Sequence, residues 1–86
     1  MRVRIPTPLR SYTAGVVVVD AEGDTIGAVL AHLDEQFPGL RFRVVDEQAR
    51  LRPHMKIFLG QDAVRDLTMP VADHDELTLM QALSGG

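Results

Sequence analysis

The sequence predicts a single small α+β domain in which a mixed sheet of four to five strands wraps around one main helix. The chain has 86 residues, of which 45% are hydrophobic, so it can bury one core without a metal or disulfides. One stretch has apolar residues at helical spacing, and several short stretches alternate apolar with polar residues. Because every apolar face needs a partner, the economical packing places the sheet against the helix.

The first two strands are expected to form a hairpin. Val3 and Ile5 alternate with arginines, and the prolines that follow end this strand because proline has no amide hydrogen for a ladder. Residues 9–13 are expected to be turn or loop. Residues 16–19, four valines, predict a second strand that is apolar on both faces or well buried, and residues 20–24 form the turn after it.

The main helix is expected over about residues 25–37. Asp24 or Thr25 can cap its first turn, and Pro38 and Gly39 end it. The apolar residues are spaced so that they share one face of this helix. They are Ile26, Val29, Leu30, Leu33 and Phe37.

The middle of the chain is less regular. Residues 40–53 are expected to form a short turn or helical piece followed by an extended run at 50–52. Residues 55–59 alternate as a strand does. A turn at 60–62 then leads to residues 63–65, which can pair briefly with that strand.

A turn at residues 73–75 leads into the last strand. Leu77 and Leu79 alternate with Thr78 and Met80, the pattern of a strand with one buried face. Residues 1–83 are therefore expected to form the domain. Residues 84–86 are expected to form a flexible tail that ends in Gly-Gly, because they offer no side chain to hold them in place. The order of elements is that of the ubiquitin-like β-grasp fold.

Composition excludes several kinds of chemistry. The chain has no cysteine, which excludes disulfides, thiolate metal sites and cysteine nucleophiles. A net charge of −3 argues against nucleic-acid binding. No stretch is apolar enough for a signal sequence or a membrane span, so we expect a cytoplasmic protein with no membrane partner. His32, His54 and His74 lack metal-ligand spacing and are expected to be solvated. No catalytic pair, phosphate-binding loop or Mg²⁺ site is recognisable, so no enzyme is predicted.

Six short motifs are spread along the chain, and their identity and order carry a resemblance to a known family. They are Ile5-Pro6 with Leu9-Arg10, Asp24-Thr25-Ile26-Gly27, Arg50-Leu51-Arg52-Pro53-His54, Asp62-Ala63-Val64-Arg65, Asp75-Glu76-Leu77 and Gly85-Gly86. With these motifs the chain resembles the MoaD/ThiS family of ubiquitin-like sulfur carrier proteins over nearly its whole length. The Arg-Leu-Arg motif looks closest to carriers linked to cysteine biosynthesis. Gln81 departs from the pattern, since many relatives have proline there.

The resemblance implies chemistry at the terminal carboxylate of Gly86. A ubiquitin-activating-type adenylyltransferase would adenylate it with ATP and Mg²⁺, and sulfur from a sulfurtransferase or sulfide would replace AMP to give a thiocarboxylate. An acceptor synthase in cysteine, thiamine or molybdopterin biosynthesis would then take the sulfur. Leu83, Ser84 and Gly85 would thread the tail into the partner, and glycine suits a narrow channel because it has no Cβ. The carrier itself would bind no cofactor.

A docking patch is expected on the strand face opposite Leu77. Phe58 and Met80 fall on this face, with Ala82 beyond them, and together they could contact a partner. In the alternative, residues 40–53 fold over them as a satellite core. The basic residues of that segment either meet an acidic partner or form a solvated edge. They are Arg41, Arg43, Arg50 and Arg52.

Two other functions use the same fold. A protein modifier would be joined through Gly86 to lysines of other proteins, whereas a binding module would only dock. Lys56 is the only lysine, so a self-linked polymer requires it or the N-terminal amine. For the terminal Gly-Gly itself, an ordinary frayed end is the plain alternative.

Overall fold

A mixed five-stranded sheet with three helices makes up residues 1–82, the part of the chain that this computed structural model describes. The expected tail at 84–86 and the last domain residue, Leu83, lie outside the described residues. The strands are β1 (Arg2–Arg4), β2 (Val18–Asp20), β3 (Met55–Leu59), β4 (Asp62–Val64) and β5 (Glu76–Gln81). The helices are a 3-10 helix (Thr7–Thr13), α1 (Ile26–Gln36) and α2 (Leu40–Val44).

The last strand lies in the middle of the sheet. The strand order is β2-β1-β5-β3-β4, in which β1 and β5 are parallel and the other pairs are antiparallel. Val3 lies across from Val19 on one side and Leu77 on the other, and Ile57 lies across from Leu79. The predicted β1–β2 hairpin and the brief pairing of β3 with β4 are both confirmed.

Helix α1 covers the inner face of this sheet as predicted. Ile26, Val29, Leu30 and Leu33 are all buried in one core with the inward residues of β1, β3 and β5. Of the two candidate caps, Thr25 caps the helix, because its Oγ1 accepts a hydrogen bond from the Ala28 amide at 3.2 Å.

The expectation of a turn or loop at residues 9–13 is wrong, because these residues belong to the 3-10 helix. Pro8 sits in its first turn, where a fixed φ and a missing amide hydrogen cost nothing. Leu9 and Thr13 are buried, and the Thr13 hydroxyl donates to the carbonyl oxygen of Val16 at 2.8 Å. Burial of these two side chains fixes the short helix against the domain.

The prediction of a strand over the four valines is wrong for the first two of them, Val16 and Val17. Strand β2 begins at Val18, and Val16 and Val17 are 46% and 37% exposed. The reason is topological: β2 is an edge strand, so the sheet contacts the residues that precede it from one side only. That contact is a hydrogen bond from the Ile5 amide to the Val17 carbonyl oxygen.

Residues 40–53 form the predicted helical piece followed by an extended run. Helix α2 is followed by a β-bridge between Val45 and Leu51. Leu40, Val44 and Val45 are buried in the main core. Helix α2 packs against α1 and the 3-10 helix, on the helical side of the sheet.

Candidate docking face and the carboxyl-terminal strand

Strand β5 is held from both sides before the chain reaches its last residues. Its inward residues Leu77 and Leu79 are fully buried, and it pairs with β1 at residues 76–78 and with β3 at residues 77–81. One further hydrogen bond, 2.7 Å from the Ala82 amide to the His54 carbonyl oxygen, extends the pairing past the end of the strand. Core packing of Leu77 and Leu79 and backbone hydrogen bonds therefore fix the position of the chain up to Ala82.

The outer face of β3 and β5 brings together the residues predicted to bind a partner. Met80 lies across from Lys56, and Phe58 lies across from Thr78, so Met80 and Phe58 are diagonal neighbours. Met80 is 48% exposed, and Phe58 is half-buried. Ala82 is exposed and follows Met80 by two residues, on the same face. Partner binding by these residues stays a prediction.

The alternative that residues 40–53 cover this face is wrong. The buried apolar residues of that segment belong to the main core, on the opposite side of the sheet. Phe58 and Met80 are not part of that core. The outer face is instead bordered by the exposed Lys56 and by an ion pair, Arg4 with Glu76, at 3.7 Å. Because both side chains of that pair are solvated, the pair adds little stability.

A groove that sequence reasoning missed lies beside the end of β5. It encloses about 230 Å³ between α2, the segment that precedes β3, and the last residue of β5. The sequence does contain a signal for it: Leu40 and Val44 are one helical turn apart and both buried, which turns Phe42 outward. The lining residues are Phe42, Arg43, Arg52, His54, Met55 and Gln81.

The loop that leads to this groove is organised by Asp46. Its Oδ1 accepts hydrogen bonds from the amides of Gln48 at 2.9 Å and Arg50 at 3.0 Å. These bonds, that of Arg50 foremost, lower the pKa of the Asp46 carboxyl below its ordinary value, and the charges of Arg50 and Arg52 act in the same direction.

The histidines divide into two kinds. His54 and His74 are exposed, but His32 is half-buried and its Nδ1 accepts a hydrogen bond from the Glu22 amide at 2.8 Å. His32 thus joins α1 to the loop before it through a hydrogen bond at the surface. Within residues 1–82 no three His, Asp or Glu side chains are grouped as a metal site would need. No helix in that part of the chain is long and apolar enough to cross a membrane.

The strand order, with β5 central and parallel to β1, and the single long helix define a ubiquitin-like β-grasp domain. The ThiS family model matches residues 3–86. This chain belongs to the ThiS family, as its motifs predicted.

Similar curated proteins include the sulfur carrier protein CysO of Mycobacterium tuberculosis and of Mycobacterium bovis. Each is 36% identical over 98% of this chain and 96% of the relative.

Solved structures agree with this assignment. A chain of the Amycolatopsis orientalis BexX/CysO complex has a TM-score of 0.91 at 32% identity, covering 99% of this chain and 98% of that one. Mycobacterium tuberculosis CysO has a TM-score of 0.89 at 34% identity, covering 95% and 98%. The small archaeal modifier protein SAMP1 of Haloferax volcanii has a TM-score of 0.79 at 31% identity, covering 100% and 98%.

The residues predicted to carry the chemistry and to thread the tail were Gly86, Gly85, Ser84 and Leu83. All four lie outside the described residues, although the family match continues through Gly86. Their roles therefore stay predictions.

Proposed function

We propose that this protein is a non-catalytic sulfur carrier of the CysO/ThiS type. The observation that carries the proposal is the family match over residues 3–86, together with curated CysO sulfur carriers that are 36% identical over nearly the whole chain. The absence of cysteine from the sequence agrees with a carrier that holds sulfur on a carbonyl carbon.

In a chain whose carboxyl terminus is Gly86, the reactive group is the terminal carboxylate. Such a group ordinarily has a pKa of about 3.3–3.7, so it is ionised and nucleophilic at neutral pH. Its oxygen attacks the α-phosphorus of ATP, pyrophosphate leaves, and an acyl adenylate forms. Hydrosulfide then attacks the carbonyl carbon, AMP leaves with the oxygen, and the product is a thiocarboxylate with loss of one proton.

The carrier presents its terminal carboxylate to the activating enzyme, and its partners catalyse the reaction. A ubiquitin-activating-type adenylyltransferase supplies ATP and Mg²⁺, and sulfide or a sulfurtransferase supplies sulfur. Phe58, Met80 and Ala82 provide an apolar face on which that enzyme docks, next to the fixed end of β5. The acceptor is a synthase, and cysteine biosynthesis is the pathway that the CysO relatives favour over thiamine or molybdopterin.

The proposal is tested by removing the final glycine. The full-length protein and a form that lacks Gly86 are each incubated with the activating enzyme, ATP and sulfide. Intact mass spectrometry should show one oxygen exchanged for sulfur in the full-length protein alone. The deletion moves the carboxylate back by about 3.5 Å of extended chain, whereas a misplacement of about 1 Å can cost a hundredfold in rate.

A variant with Gln61→Ala is the matched control, because it changes an exposed turn residue between β3 and β4 and keeps the chain length and the terminal Gly-Gly. It should gain sulfur as the wild type does. Equal sulfur uptake by the form without Gly86 would refute the proposed site.

One observation favours a protein modifier as the second candidate. The modifier SAMP1 of Haloferax volcanii has the same fold at 31% identity. In that function Gly86 would form an amide with lysines of other proteins. Lys56 would be the better acceptor for self-linkage, since it is exposed, whereas the N-terminal ammonium donates a hydrogen bond to the Ala21 carbonyl oxygen at 2.8 Å. Lysine peptides of other proteins that carry the tryptic fragment 66–86 in amide linkage would support this candidate, since Arg65 is the last tryptic site of the chain.

A further inference from the structure

The groove beside β5 lies in the one strongly basic part of an acidic protein. Residues 40–56 hold five of the nine Lys and Arg residues but only two of the twelve Asp and Glu residues, a net charge of +3. The remaining four basic and ten acidic residues give −6. A partner surface that approaches this segment therefore meets a potential opposite in sign to that of the rest of the chain.

Arg52 is held in position at the wall of the groove. Its Nε donates a hydrogen bond of 2.7 Å to the Phe42 carbonyl oxygen, and its guanidinium carbon lies 4.5 Å from the centre of the Phe42 ring. The Arg52 amide also donates to the Val44 carbonyl oxygen at 3.0 Å. The guanidinium group is thus oriented before any partner binds, which lowers the entropy lost on binding.

In the part of the chain from Met1 to Ala82, no carboxylate lies within ion-pair distance of the basic side chains of the groove, although the charge of Arg52 acts on Asp46 from farther away. The ion pairs found there are Arg4 with Glu76 and His74 with Asp75, neither of which lines the groove. Beside these positive charges, Phe42 is 56% exposed, so the groove also offers an apolar surface to a partner side chain.

We propose that this groove docks an acidic segment of a partner protein. Carboxylates of that segment pair with Arg43 and Arg52, and an adjacent aliphatic side chain packs on Phe42. An acidic segment is the occupant that fits best, because its negative charge complements the positive charge of Arg43 and Arg52. A nucleic acid is disfavoured, because Arg43 and Arg52 are the only Lys or Arg residues among those that line the groove and the chain as a whole has a net charge of −3. The proposal is independent of the chemistry at Gly86.

The test is an NMR titration of the amide resonances with short acetylated and amidated peptides. One peptide alternates glutamate with leucine, and its neutral twin has glutamine in place of glutamate. The acidic peptide should shift the amides of Phe42, Arg43 and Gln81 in a saturable way. Raising the salt concentration to about 0.5 M should weaken the binding severalfold, because charge pairs at the surface are screened.

Two variants and one control locate the binding site. Arg43→Glu and Phe42→Ala should each weaken peptide binding about tenfold, through charge repulsion and loss of the apolar contact respectively. Arg65→Glu makes the same charge change at an exposed arginine outside the groove and should change the affinity by less than about twofold.

Three results would overturn the proposal. In the first, the neutral twin binds as tightly as the acidic peptide. In the second, binding is not located at the groove, which is shown either by shifts that centre on Phe58 and Met80 or by an Arg65→Glu effect as large as that of Arg43→Glu. In the third, tripolyphosphate, titrated in parallel, binds the groove residues more tightly than the peptide, which would make the groove a phosphate site.

Discussion

Replacing Leu30 with alanine should destabilise the domain strongly, because this side chain lies at the buried face of α1 and is only 1% exposed. The change removes three carbon groups, at about 0.8 kcal/mol for each one buried. The cavity left behind adds to this loss, so the free energy of unfolding should fall by about 2–5 kcal/mol. For a domain of this size each kcal/mol lowers the melting temperature by about 4–8 °C, so the midpoint should fall by roughly 8–40 °C.

Guanidinium denaturation followed by circular dichroism is the suitable assay, since the chain has no tryptophan to report by fluorescence. Met80→Ala is the matched control: it also shortens an apolar side chain, but one that is 48% exposed on the outer face. It should cost less than about 1 kcal/mol. In the sulfur-transfer assay the order should reverse, with Met80→Ala raising the KM for the carrier and folded Leu30→Ala behaving as the wild type.

A loss below about 0.5 kcal/mol for Leu30→Ala would show that the buried face of α1 has been assigned wrongly. Equal destabilisation by both changes would show that the outer face is also part of a core. If Met80→Ala leaves the KM unchanged, the outer face is not where the activating enzyme docks.

Three further changes probe single features of the chain. Thr25→Ala should lower the free energy of unfolding by about 1 kcal/mol through loss of the cap on α1, whereas Thr25→Ser should keep it. Gly23→Ala should cost about 1–3 kcal/mol or more, since the added Cβ would lie 2.6 Å from the Val29 nitrogen; melting curves decide both. Asp46 should make the local stability of its loop depend on pH. Because its pKa is lowered on folding, the stabilisation is present above the ordinary Asp value of 3.8 and is lost as the pH falls through the lower value of the folded state. Exchange of the Arg50 amide with solvent should quicken in that acid range, and Asp46→Asn should remove this pH dependence.

Helix α1 and the last strand could be predicted because their signals are local. The cap at Thr25, the spacing of the apolar residues and the Pro38-Gly39 stop all lie within one stretch of sequence. The alternation of Leu77 and Leu79 likewise indicates which face is buried, whatever strands lie beside it.

The features that were missed depend on contacts between distant segments. The 3-10 helix has too few residues to show a period, and it is fixed by burial of Leu9 and Thr13. The valine run loses half of its predicted strand because β2 is at the sheet edge. The basic groove exists only once Arg52 has folded back over Phe42, ten residues earlier.

The central claim, that this chain carries sulfur on its terminal carbonyl, is tested most directly by the intact mass of the protein purified from its native cell. The proposed function predicts that a fraction of the molecules has one oxygen replaced by sulfur. Fragmentation should place the change at Gly86, and alkylation of the thiocarboxylate should shift that fraction alone. The account is contradicted if every molecule has a free carboxylate under conditions of active sulfur assimilation, or if Gly86 occurs only in amide linkage to lysines.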